Sequence, residues 1–234
     1  MVPIGDENPT QITPVVTYIL IIANILIFIY ELTLTQPQLD QFFQRFAVVP
    51  QELTADFSGT AVNQPVPEPL TLITSQFLHG GFAHVGFNML YLWIFGNNIE
   101  EELGHLKFLI FYLGCGMLAA LTQWIFSVQS PIPTLGASGA IAGVMGAYIL
   151  KFPQAKIITL IPLGFLFFTL RIPALFFLGF WFVQQAFNGV ASLSPAAGNA
   201  MAGGVAYWAH AGGFVFGAIL GPLLGLFSDR FRGM

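Results

Sequence analysis

The sequence predicts an all-α, polytopic membrane protein in which six helices cross the bilayer. Of the 234 residues, 56% are apolar and only 8% are charged, and the mean hydropathy is +0.76. A soluble domain carries about 25% charged residues, so these charges are too few to cover a surface that faces water. The net charge of −4 offers no basic face to a nucleic acid, and the single cysteine, Cys115, excludes a disulfide framework.

Six apolar stretches are the predicted membrane helices, because a bilayer core of about 30 Å needs about 20 helical residues. They are residues 13–34, 82–99, 106–127, 137–150, 172–190 and 207–227. The sequence thus predicts one membrane domain over residues 1–234. Its remaining parts are a short N-terminal tail at 1–12, an outer loop at 35–70 and a C-terminal tail at 228–234.

A further apolar stretch, residues 157–170, is interrupted by Pro162 and Gly164, and we predict an interfacial or folded-back connector there. The alternative is a seventh span. Basic residues favour the cytoplasmic side of a membrane. With six spans, both termini and six of the seven basic residues share that side, and only Arg45 faces outward. The six are Lys107, Lys151, Lys156, Arg171, Arg230 and Arg232. A seventh span would spoil this division, so the charges favour six.

The fourth predicted helix, 137–150, is short. Its 14 residues extend only about 21 Å at 1.5 Å per residue, and Pro131 and Pro133 break the chain before it. We therefore expect this helix to start inside the membrane. Irregular backbone at that depth is tolerated only where protein buries it or water reaches it, which predicts a cavity open to the outside.

Four polar residues lie at similar depth in three of the predicted helices: His84, Asn88, Ser138 and His210. At 1.5 Å per residue, they lie about 18 to 28 Å from the cytoplasmic ends of their helices, in the outer half of the bilayer. Polar side chains inside a membrane mark function. His84 and Asn88 share a helix face. Ser138 begins its helix, where free N–H groups favour an anion. A nucleophile, a base and oxyanion donors are the parts of an acyl-transfer site. No acid lies near them, so we predict a Ser138–His210 dyad.

Other interpretations fit less well. A serine at a helix start is commonly a cap, and a lone intramembrane histidine or asparagine is often a packing residue. Four such residues at matched depth favour a reactive site. His79 and His84 lack the glutamate of a zinc-protease motif, and no nucleotide fingerprint is present. We therefore expect no metal, no cofactor and no nucleotide. A transporter or channel would also need polar residues in the cytoplasmic half of the bilayer, and the predicted helices have few there.

These residues resemble the motifs of the rhomboid intramembrane serine proteases. Three motifs carry the resemblance, in order: His79-x4-His84-x3-Asn88, Gly136-Ala137-Ser138-Gly139, and Ala209-His210-x2-Gly213-x3-Gly217. Glu100 is similar to the acidic residue that ends the family's second helix. The resemblance covers about residues 70–225 and the six-helix layout.

The resemblance implies a role for each of these residues. Ser138 would be the nucleophile and His210 the base, and the oxyanion would be held by the Ser138 N–H with His84 and Asn88. Gly136 would shape the loop that enters the nucleophile helix. The partners would be the lipid bilayer and membrane-spanning protein substrates, cut near the outer face. The short six-helix form looks like one from a bacterial inner membrane.

One departure from the family stands beside the reacting groups. Many members have an aromatic residue four positions after the nucleophile, stacked on the catalytic histidine, and Ala142 occupies that position here. His210 therefore needs another orienting group or is held loosely. The alternative function is a catalytically silent protein of the same fold that binds membrane spans without cutting them.

Overall fold

The computed structural model describes residues 1–60, 65–164, 166–193 and 205–228, and these are mostly helical. The α-helices are α1 Val15–Glu31, α2 Gln36–Phe46, α3 Pro50–Phe57, α4 Glu68–Thr74, α5 Phe82–Tyr91, α6 Asn97–Leu103, α7 His105–Ile125, α8 Ser138–Lys151, α9 Ala174–Ser192 and α10 Tyr207–Leu224. A π-helical turn, Leu92–Gly96, joins α5 to α6, so helical structure runs from residue 82 to 103 without a break. A 3-10 turn, Ser75–Phe77, follows α4.

Three helices within the described ranges are long and apolar enough to cross a membrane by length and composition: α7, α9 and α10. Two further apolar helices are shorter, since α1 has 17 residues and α8 has 14. The C-terminal tail predicted at 228–234 lies outside the described residues except for Ser228.

Helix α8 is the most buried helix of the bundle and packs against both α7 and α10, which also contact each other. Its residues from Gly139 to Tyr148 are all buried. The contact with α10 is made by backbone, because a Cβ added to Gly213 would overlap the carbonyl oxygen of Gly139, and one added to Gly217 would overlap that of Gly143. Glycines at four-residue steps on facing helices allow this approach. The backbones of α8 and α10 are therefore in direct contact.

The prediction of an all-α protein is wrong in one respect: a three-stranded antiparallel sheet is present. Its strands are β1 Val2–Asp6, β2 Lys156–Leu163 and β3 Leu166–Pro173, in the order β1-β2-β3. The stretch 157–170 thus folds back as a hairpin, as predicted, and is not a helical span. Its β-branched and aromatic residues favour strands, and Gly164 reverses the chain at a positive φ of 62°.

The N-terminal tail predicted at 1–12 is not a free tail, because it contains β1. Val2 pairs with Leu160 and Asp6 with Ile157. The Asp6 carboxylate accepts hydrogen bonds from the Tyr148 hydroxyl at 2.5 Å and from the Asn98 amide at 3.0 Å. These bonds fasten the sheet to α8 and α6. Burial raises the pKa of Asp6 despite the opposing effect of these two bonds.

The predicted outer loop, 35–70, is largely helical, since it contains α2, α3 and the start of α4. It also supports the segment that enters α8. Val48 and Thr134 form an antiparallel bridge, in which the Thr134 N–H donates to the Val48 carbonyl at 2.7 Å. The indole N–H of Trp124, near the end of α7, donates to the Thr54 hydroxyl at 2.8 Å. The loop therefore fixes the chain just ahead of Ser138.

Three carboxyl groups of this loop lie together, and one of them makes stability depend on pH. Glu68 is only 3% exposed. Burial first, and then the charges of Glu52 and Asp56, raise the pKa of Glu68 to about 7. A carboxyl whose pKa is higher in the folded state destabilises the fold once it ionises. The resulting stability is fully present below about pH 4.5 and is lost as the pH rises through 7.

We therefore expect Glu68→Gln to raise the melting temperature by a few degrees at pH 8 and to leave it nearly unchanged at pH 5, because the amide mimics the neutral carboxyl. Thermal unfolding in detergent at both pH values measures this. Asp40→Asn is the matched control, since Asp40 is an exposed carboxyl of the same loop. Equal melting shifts for the two variants at pH 8 would contradict the prediction.

Candidate active site

Ser138 is the first residue of α8, and Gly136 determines how the chain reaches it. Gly136 has a φ of 123°, a backbone conformation that residues other than glycine rarely adopt. A Cβ at this position would also lie 2.7 Å from Nε2 of His84. The Gly136 N–H donates to the Ser75 carbonyl at 2.8 Å. Glycine is thus required here by backbone conformation and by space.

His210 lies in the first turn of α10 and faces Ser138. The distance between its Nε2 and the Ser138 Oγ is 2.8 Å. The close approach of α10 to α8 produces this contact, because Gly213 follows His210 by one turn and touches the backbone of Gly139. Ala209 lies beside the same contact and is only 6% exposed. The predicted pair is therefore brought within hydrogen-bonding distance.

His84 and Asn88, on α5, line the same cavity as Ser138 and His210. The Asn88 amide donates to Nε2 of His79 at 2.9 Å. The backbone N–H of His79 in turn donates to the Glu31 carboxylate at 3.2 Å. These bonds hold the Asn88 amide, and His79 itself is buried outside the cavity lining.

The tautomer of His84 follows from its neighbours. Its Nδ1 accepts a hydrogen bond from the Gly80 N–H at 3.4 Å, so the ring hydrogen is on Nε2 when the ring is neutral. That nitrogen lies on the side of Gly136 and Ser138. An N–H donor is therefore directed at the space beside the serine.

The cavity has a volume of about 700 Å³. Most of its wall is apolar, and the polar groups of the four predicted residues lie together on it. Apolar wall residues include Phe87, Tyr91, Met145 and Trp181. Pockets of this kind, with a few convergent polar groups, are the usual form of a binding site. In the part of the chain that the structure describes, no three His, Cys, Asp or Glu side chains form a metal-ligand group.

Two residues of α9 that the sequence analysis missed also contact His210. The Gln185 Oε1 lies 2.8 Å from Nδ1 of His210. The Trp181 ring lies 5.7 Å from the His210 ring, centroid to centroid, at an angle of 33°. A signal for Gln185 was present: it is a polar residue within a predicted span, about 21 Å beyond Arg171 at 1.5 Å per residue. That depth lies within the range of about 18 to 28 Å predicted for the other four polar residues.

Glu100 lies on α6, away from the cavity. It is fully buried and accepts hydrogen bonds from the N–H groups of Val16 and Thr17 and from the Thr17 hydroxyl, at 2.7–2.8 Å. His105 contacts the same carboxylate. Glu100 therefore joins the start of α1 to α6 and α7.

Comparison with known proteins confirms the family that the motifs resemble. A family model, the Rhomboid domain, matches residues 67–227, which is more than half of the chain. The chain belongs to the rhomboid family. Its membership, with the apolar helices, makes it an integral membrane protein.

Several rhomboid relatives are similar over part of the chain. Rhomboid protein 1, mitochondrial, of Saccharomyces cerevisiae is 33% identical over 67% of this chain and 42% of its own length. Rhomboid protease GluP of Bacillus subtilis is 42% identical over 33% of this chain and 15% of its own. Putative rhomboid protease YdcA of the same species is 36% identical over 33% and 39%. The matched segments thus cover less than half of the length of each relative.

Proposed function

We propose that this rhomboid protein is an intramembrane serine endopeptidase that cuts membrane-spanning substrates near the outer face with a Ser138–His210 dyad. The observation that carries the proposal is the 2.8 Å distance between the Ser138 Oγ and Nε2 of His210 inside the cavity. A histidine base in contact with a serine hydroxyl activates that hydroxyl as a nucleophile. Relatives named as proteases support the same activity.

The proposed reaction is acyl transfer to the serine. Nε2 of His210 takes the proton of the Ser138 hydroxyl as Oγ attacks the peptide carbonyl. His210 then gives that proton to the leaving amine, and water releases the acyl group by the reverse sequence. The new oxyanion would be stabilised by the Ser138 N–H, by the N–H of His84 and by the Asn88 amide. The start of α8 adds its positive dipole end.

The substrate must lose helical structure locally before it is cut. In a helix each carbonyl is bonded to an N–H four residues on and is shielded by its own turn. The apolar wall of the cavity suits the side chains of an unwound membrane segment, and the volume of about 700 Å³ has room for a short one. This favours cleavage at helix-destabilising positions.

The proposal includes six membrane spans. They are formed by α1, the continuous helical stretch from α5 to α6 (residues 82–103), α7, α8, α9 and α10. Both termini lie in the cytoplasm of a bacterial cell. The length of α8 supports a helix that starts inside the membrane, since 14 residues extend about 21 Å. The irregular segment before it is held by Val48 and Ser75 through backbone hydrogen bonds. Such protein contacts are what irregular backbone at membrane depth requires.

The test combines two assays on protein purified in detergent micelles. A fluorophosphonate probe should label the wild type, with the adduct on the peptide that contains Ser138, and a generic single-span substrate should be cut. Ser138→Ala should lose the label, whereas Ser58→Ala, which changes an exposed loop serine, should retain it. A folded wild type that neither reacts nor cleaves would contradict the proposal and favour the silent binding protein.

Loss of an oxyanion donor should have a defined kinetic signature. We expect Asn88→Ala to lower kcat by about 10² to 10³-fold with KM nearly unchanged, because the donor acts on charge that develops in the transition state. Steady-state cleavage of the single-span substrate measures both constants. Asn97→Ala, nine residues further along the same continuous helical stretch and outside the cavity lining, serves as the control. A rise in KM alone would show that Asn88 binds substrate and does not stabilise the oxyanion.

A further inference from the structure

Helix α9 supplies a polar contact to the second nitrogen of His210. We propose that Gln185 is a positioning residue that fixes the tautomer and orientation of His210, at the place where a serine triad has an acid. The proposal rests on the proposed function, because it assigns Gln185 a part in the same reaction. It starts from the 2.8 Å distance between the Gln185 Oε1 and Nδ1 of His210.

The amide oxygen determines which ring nitrogen carries the hydrogen. A neutral imidazole has one N–H, and a carbonyl oxygen can only accept. Contact with Oε1 of Gln185 therefore places the hydrogen on Nδ1 of His210. Nε2 is then left with a free lone pair, and this is the nitrogen that lies 2.8 Å from the Ser138 Oγ. The other tautomer would direct an N–H at the serine hydroxyl and could not take its proton.

Gln185 is itself held in place. Its side chain belongs to a residue that is only 7% exposed, on a helix that packs against α8 and α10. A buried amide oxygen needs a hydrogen-bond donor, and Nδ1 of His210 provides one. Gln184, the neighbouring residue, is exposed. The two adjacent glutamines are therefore in different environments, and of the two only Gln185 is placed to bond to Nδ1 of His210.

Trp181 restrains the same ring from another side. It precedes Gln185 by four residues and so lies on the same face of α9. Its ring is 5.7 Å from that of His210 and 6.2 Å from that of Phe214. Ala142 is fully buried on α8 and carries no ring to stack on the histidine. The orienting contacts that the sequence left open thus come from α9, as an amide at Nδ1 and an indole beside the ring.

The kinetic test uses Gln185→Met, which keeps the length of the side chain but removes the oxygen. We expect kcat to fall at least about tenfold with KM unchanged, since the base is misplaced while the cavity stays intact. Gln184→Met, the matched control, should match the wild type. Gln185→Glu should retain activity at high pH, and the acid limb of its pH–rate profile should move to higher pH, because the added negative charge favours the protonated ring.

A second measurement does not depend on activity. In protein labelled with ¹⁵N-histidine, the signals of His210 are identified by their loss in His210→Ala. The wild type should show the hydrogen on Nδ1, and Gln185→Met should show a mixture of tautomers. A hydrogen on Nε2 in the wild type, or equal kcat for Gln185→Met and Gln184→Met, would overturn the inference. A wild type without cleavage or labelling refutes the proposed function, and the tautomer spectrum still decides the role of Gln185.

Discussion

Ser138→Ala and His210→Ala are each expected to lower kcat by at least about 10⁴-fold, because removal of either reacting group leaves only binding and oxyanion stabilisation. The double variant should lose no more than the single ones, since the two side chains act as a unit. Single-turnover cleavage of a labelled single-span substrate in proteoliposomes measures these rates. The melting temperatures should stay close to that of the wild type, because each change removes a partly exposed side chain.

The two variants separate the roles of nucleophile and base. Ser138→Ala should also abolish fluorophosphonate labelling, whereas His210→Ala should slow it strongly, since the hydroxyl remains but nothing takes its proton. A His210→Ala protein that cleaves at the wild-type rate would exclude the dyad. Retained cleavage by Ser138→Ala would point to a different nucleophile in the cavity.

The second large effect is expected from Gly213→Val, which should lower the free energy of unfolding by about 1–3 kcal/mol or more and abolish most of the activity. A Cβ at this position would overlap the Gly139 carbonyl oxygen and lie 3.3 Å from the Ala119 Cβ. Because the obstacle is backbone, α10 must move away from α8. His210, one turn earlier, would move with it and leave Ser138.

Thermal unfolding and cleavage assays measure these two losses. Gly179→Val is the matched control, because a Cβ on Gly179, in the second turn of α9, has nothing within 4 Å. Gly213→Ala should give an intermediate loss, since it adds the overlapping carbon without the branches. Equal melting temperatures for Gly213→Val and Gly179→Val would remove the argument that backbone contact sets the position of His210.

The sequence was informative where a residue type is costly in a membrane. Polar side chains at one depth predicted that His84, Asn88, Ser138 and His210 form one site, and all four line the same cavity. These signals are local to each helix, and helix geometry converts residue number into depth.

The sheet could not be predicted in this way. The stretch 157–170 is apolar except for Thr159 and Thr169, so it lacks the regular alternation that identifies a half-buried strand. Its partner β1 lies about 155 residues earlier in the chain, with Val2 opposite Leu160. Pairing at that separation depends on the packed bundle and leaves no trace in either segment alone.

Gln185 was missed for a geometric reason. Depth alone does not distinguish it from Gln184, because adjacent residues on a helix point about 100° apart. Only the rotation of α9 about its axis, which is set by packing against α10, selects Gln185 to face His210. The helices within the predicted loop 35–70 were likewise not predicted, since their contacts with Thr134 and Trp124 join residues that are far apart in the sequence.

The backbone contact between α8 and α10 bears on how the protein responds to bilayers of different thickness. A membrane helix adjusts to a thinner or thicker hydrocarbon layer by tilting. Two helices in contact through Gly139 and Gly213 can tilt only together, so the distance from Ser138 to His210 is insulated from lipid chain length. Helix α9 meets α10 through side chains, as in the stacked rings of Phe182 and Phe214 at 4.7 Å, and can tilt more independently. A change in bilayer thickness should therefore alter the contact between the Gln185 amide and His210, while the distance from His210 to Ser138 stays the same.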